Sequence, residues 1–116
     1  MSWWISLNDE DGNCLEVERF SDGGTYAVGG TIEADLNITY NYSGLFHTFL
    51  NDVEGIRYLH GRYAKDTTER LKSAIDAMQD DDEEDYWKAT EGNAKKALKI
   101  LYTWALQHPE GKWRVN

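Results

Sequence analysis

A single cysteine, Cys14, and a single proline, Pro109, stand in this chain of 116 residues. One thiol excludes an internal disulfide, which fits a reducing compartment, and a cytoplasmic protein is expected. Long apolar runs are missing as well. No stretch approaches the ~18 residues of a membrane span, so no membrane partner is expected. The opening MSWWISLNDEDGN has no basic segment and does not read as a secretion signal. Positive charge is scarce: 12 Lys and Arg face 21 Asp and Glu, a net charge of −9. Phosphate binding relies on Lys and Arg, so direct binding of nucleic acid is disfavoured. The shortage is also uneven. Residues 1–60 hold ten acidic and two basic residues, a net of −8, whereas residues 61–116 hold eleven and ten, a net of −1. Such an acidic half would attract and steer a basic partner.

Aromatic residues are abundant, with five Trp and seven Tyr. They supply large buried surfaces with polar tips, suited to cores and to binding faces alike. At this length the chain forms one domain, residues 1–116, and buries roughly two-thirds of its unfolded surface without a metal or disulfide. No cofactor is expected.

The most regular pattern is Thr31–Ser43, TIEADLNITYNYS. Ile32, Ala34, Leu36, Ile38, Tyr40 and Tyr42 occupy alternate positions, with Glu33, Asp35, Asn37, Thr39 and Asn41 between them. A period of two places the sets on opposite faces of a strand, one toward the core and one toward water. This ribbon is expected to be the central strand. Trp3, Ile5 and Leu7 alternate with Trp4, Ser6 and Asn8 in a first strand, and Leu15 and Val17 alternate with Glu16 and Glu18 in a second. DEDGN at 9–13 joins them as a turn, with Asp11-Gly12 at its positive-φ corner. The Gly pairs flanking Thr25–Val28 read as two bends around a short extended piece.

After Ser43 the period changes. Ser43 is placed to cap a short helix containing Leu45, Phe46, Phe49 and Leu50. GIRYLHG at 55–61 reads as a further turn or two, with Ile56 and Leu59 inward. Asp66 and Glu69 have capping-box spacing ahead of a helix whose inner face is Leu71, Ala74, Ile75 and Met78. The acidic run 80–85 interrupts it. Thr90 or Asn93 caps the last helix, whose stripe is Ala94, Ala97, Leu98, Leu101 and Ala105, widened by Ile100 and Trp104. Pro109 stops it, and Trp113 and Val115 suggest a terminal edge strand. Strands first and helices second predict an α+β fold: an antiparallel sheet of three to four N-terminal strands packed against two to three C-terminal helices.

Several strings carry a likeness. GGTYAVGGT (23–31), LNITYNYS (36–43), GIRYLHG (55–61), DYWKATEGNAKKAL (85–98) and WALQHPEGKWRV (104–115) resemble a family of small uncharacterised proteins encoded by bacteriophages, prophages and their bacterial hosts. The resemblance covers nearly the whole chain. It implies a short phage-type cytoplasmic protein that acts by binding, inhibition of host defence included, and it brings no catalytic residues with it.

No sequence motif for catalysis or metal binding is complete. In the acidic turn, Asp9, Asp11, Gly12 and Glu18 fit an EF-hand template, but Leu7 falls on the first ligand position and the flanks alternate as strands. His47, His60 and His108 have no metal-ligand spacing, Cys14 has no C-x-x-C partner, and Ser43 lies in NYSGL rather than G-x-S-x-G. The acidic run 80–85 reads first as a solvated loop. Two sites are expected instead. A protein-interaction face would use Glu33, Asp35, Asn37, Thr39 and Asn41 against a basic host protein, such as a nucleic-acid-binding or defence factor. A ligand pocket for a nucleotide-like anion would use Thr25, Tyr26, Tyr86, Trp87 and Asn93, drawing on the bare N–H groups of a helix N-terminus. A hydrolytic enzyme is the third reading, with no nucleophile–base set visible in the sequence, and a structural or assembly role is a further one, with an exposed strand edge as a route to an oligomer.

Overall fold

The alternation around Trp3, Ile5 and Leu7 forms strand β1 (Ser2–Asn8) in the computed structural model, which describes residues 2–20, 31–81 and 88–116. Strands β2 (Glu16–Phe20), β3 (Thr31–Glu33), β4 (Asp35–Thr39) and β5 (Lys112–Val115) accompany it. Their partners are helices α1 (Ser43–Phe49), α2 (Thr68–Ala77) and α3 (Glu91–Gln107). The fold is α+β, as expected. One antiparallel sheet has the order β4-β1-β5, and β2 pairs with β3 in a second, two-stranded sheet. The middle strand of the larger sheet is therefore β1, and its third strand comes from the far end of the chain.

The long ribbon expected over Thr31–Ser43 is broken twice. At Ala34 the chain bends from one sheet into the other. Three backbone bonds close a ring there: Leu7 N–H to Ala34 O, Ala34 N–H to Leu15 O and Leu15 N–H to Leu7 O, each 2.9 Å. The ribbon ends at Thr39, whose Oγ1 accepts from Asn41 N at 3.2 Å and caps a 3-10 turn over Tyr40–Tyr42. That turn still delivers Tyr42 to the core, where its ring meets Phe46 edge-on at 6.1 Å, and it lays Tyr40 against Trp3 at 4.7 Å. Aromatic contacts of this kind reward the turn over two more extended residues.

Trp3, Ile5, Leu7, Leu36, Ile38, Trp113 and Val115 point from the larger sheet into one core with Phe46, Leu71, Ala74, Leu98, Leu101 and Trp104. Burial at ~25 cal/mol per Å2 of apolar surface makes this shared core the main stabilising contribution. The inner stripes of α2 and α3 are those read from the sequence.

Helix starts differ more. Thr90 caps α3 by accepting from Asn93 N at 3.1 Å. Ser43 is no cap: α1 follows directly on the 3-10 turn, with Tyr42 at the cap position. The Asp66–Glu69 box is absent too, because Asp66 lies in a 3-10 turn (Ala64–Asp66) and Thr67 precedes α2. The Thr67 hydroxyl donates to Ala64 O at 2.8 Å and accepts the Trp113 indole N–H at 2.9 Å, fastening α2 to β5. The outer edge of β5 is covered by the 57–64 segment, through Gly61 N–H to Trp113 O and Trp113 N–H to Arg62 O, both 3.0 Å.

Candidate functional site: the open face of the three-stranded sheet

Opposed residues of an antiparallel pair share a face. Trp4 is opposite Asn37, and Ser6 is opposite both Asp35 on β4 and Arg114 on β5. These side chains form the face turned away from the helices. The β1–β2 turn borders it, since Asn8 bridges to Cys14. Gly12 holds that turn with φ +81°, and Asp9 Oδ1 accepts from Asp11 N at 2.9 Å and from Asn13 N at 3.0 Å. The acidic stretch is thus a hairpin turn whose first carboxylate is spent on its own backbone. A shallow groove of about 450 Å3 runs here, lined by Trp4, Ser6, Asn8, Cys14, Asp35 and Arg114 among others.

The residues expected to form an interaction face are not all exposed. Glu33 is exposed and Asp35 half-buried, but Asn37 and Thr39 are buried. Asn37 Nδ2 donates to Ser2 Oγ at 2.7 Å and to Trp3 O at 3.2 Å, so its amide ties β4 to β1. Thr39 is committed as a cap, and Asn41 is exposed beyond the strand's end. Correctly phased for the outer face, Asn37 and Thr39 are nonetheless withdrawn from recognition. Trp4 is the residue the sequence reading passed over. It is 48% exposed at the centre of the sheet, and its signal was an indole in the polar phase of β1.

Negative potential gathers at one end of the groove. Burial, then Asp35 and Glu33, push the Cys14 thiol up to about 11. Burial, then Glu33, raise the Asp35 carboxyl above its ordinary value. A thiol so held is protonated at neutral pH and is a poor nucleophile. At the other end, Arg114 Nε donates to Asn116 Oδ1 at 3.3 Å.

Other candidate chemistry resolves into backbone bonding. His47 Nδ1 donates to Asp52 O at 3.1 Å, His108 Nε2 donates to Glu16 O at 2.6 Å, and His60 Nδ1 accepts from Val115 N at 3.0 Å. Each ring is engaged by a main-chain group of fixed polarity. Among the described residues, no group of three or more His, Cys, Asp or Glu side chains could hold a metal ion.

Of the expected ligand pocket, Thr25, Tyr26, Tyr86 and Trp87 lie outside the described residues. So do the loop 21–30 and most of the acidic run. Asn93 is buried, with its side chain donating to Lys88 O at 3.0 Å. The helix N-terminus expected to attract an anion already holds one, because Asp81 Oδ1 accepts from Gly92 N at 3.0 Å. Next to it, Asp80 pairs with Lys95 at 2.9 Å. A larger cleft of about 590 Å3 lies near the C-terminal end of α3, lined by Asp9, Glu10, Leu15, Tyr63, Lys65 and His108 among others, with Asp9 and His108 bonded to backbone groups.

Among the described residues no helix is long and apolar enough to cross a membrane. Comparison with known proteins finds no matching family model, no similar curated protein and no similar solved structure.

Proposed function

We propose that this chain is a non-enzymatic binding protein that engages a basic protein surface. The observation that carries the reading is the charge asymmetry, a net of −8 within residues 1–60, the part that supplies β1 to β4. Carboxylates arrayed on a sheet and its hairpin present negative charge to a partner much as a row of phosphates does. The phage-type likeness of the sequence suggests the setting, a host nucleic-acid-binding or defence factor as the partner.

Capture from a bacterial host lysate, with immobilised protein and elution in a salt gradient, tests this. The expected result is one or a few basic proteins released as ionic strength rises. Partners of acidic character, or retention indifferent to salt, would remove the proposal.

A further inference from the structure

The open sheet face combines three features that charge alone does not provide. An indole stands exposed at its centre. The Asp35 carboxylate lies diagonally across from it, since Trp4 opposes Asn37 and Ser6 opposes Asp35. Diagonal neighbours on a sheet lie roughly 7–8 Å apart, within the span of one long side chain. No ion pair among the described residues reaches Asp35, and the three that form lie elsewhere, at Lys65–Glu110, Lys72–Asp76 and Lys95–Asp80. Arg114, the cation on the same face, turns to Asn116 and makes no ring contact with Trp4.

We infer that this face is the docking surface for an arginine-bearing segment of the basic partner, one guanidinium lying on the Trp4 indole with the Asp35 carboxylate beside it. The inference rests on the binding function proposed above and adds its place and its preferred residue. Trp offers the strongest ring face to a cation, and a guanidinium stacks on it flat while still presenting N–H groups to a carboxylate. An ammonium offers no such plane. The face therefore selects arginine over lysine at equal charge. Arg114 opposes the incoming charge and limits the affinity.

Two peptides, nona-arginine and nona-lysine, separate the contributions when titrated into the 15N-labelled protein at low ionic strength. The expected result is shifts at the Trp4 indole N–H and at the amides of Ser6, Asp35 and Arg114. Nona-arginine should bind about three- to tenfold more tightly than nona-lysine. Trp4→Ala should erase that ratio while leaving the charge-driven affinity. Trp4→Phe should keep part of it. Asp35→Asn should weaken both peptides and Arg114→Gln strengthen both. Shifts centred on residues 80–81 instead, or an arginine preference that survives Trp4→Ala, would overturn the docking surface and leave the basic-partner reading standing. Failure of both peptides to bind at low salt would overturn both.

Discussion

Thr67 shows how one side chain decides an attachment. Its hydroxyl sits between Ala64 O and the Trp113 indole N–H, fully buried. Thr67→Val keeps the shape and deletes both bonds, leaving the indole N–H without an acceptor. A loss of about 1–3 kcal/mol is expected, with Thr67→Ser losing less, measured by urea denaturation. Equal stabilities for the valine and serine variants would show that the bonds contribute nothing. Asp35 answers to pH. Its carboxyl titrates above the ordinary 3.8, through burial first and Glu33 second. The folded state thus holds that proton more tightly than the unfolded chain. Its contribution to stability is full below the ordinary aspartate value and is lost as pH rises through the raised one. Asp35→Asn should match the parent near about pH 3 and exceed it in denaturation midpoint near about pH 7. A gap between the two proteins that stays constant with pH would contradict this.

At the scale of elements, α3 was the most legible. Its stripe, its Thr90 cap and its stop before Pro109 are all local, and local signals survive folding. The hairpin turn was legible for the same reason, because Gly12 and Asp9 act within five residues of each other. The ribbon after Thr31 was not. Alternation records which residues are buried, not which strand they bond to. The bend at Ala34 depends on Leu7 and Leu15, far away in sequence, and Tyr42 reaches the core equally well from a strand or a 3-10 turn. The burial of Asn37 was hidden likewise, since its bond to Ser2 exists only once β1 and β4 pair. The helix N-terminus yields a prediction. Asp81→Ala removes the acceptor for Gly92 N and the negative charge beside the helix dipole, and should cost about 0.5–1 kcal/mol in urea denaturation. Asp81→Asn should recover the part owed to the hydrogen bond. No effect from either would mean that Thr90 alone secures the start of α3.

For the whole molecule, the separation of charge from core matters most. Among the described residues the ion pairs are few and lie on exposed carboxylates, so they add little. Hydrophobic packing holds the fold, and the acidic excess of residues 1–60 lies outside that packed core. That division was readable from composition. The groove was not, because it takes Arg114 and Trp4 from opposite ends of the chain.

The pairing of β1 with β5 has a consequence during synthesis. Ile5 sits opposite Val115, so β1 waits for a partner made much later along the sequence. A ribosome-bound chain that has not yet released Val115 lacks one flank of its middle strand and the Trp113 anchor for α2. Stalled nascent chains ending before Lys112 should be digested rapidly by protease, and protection should arise abruptly once that segment clears the exit tunnel. Gradual protection from shorter chains would show that the remaining strands and helices assemble without it.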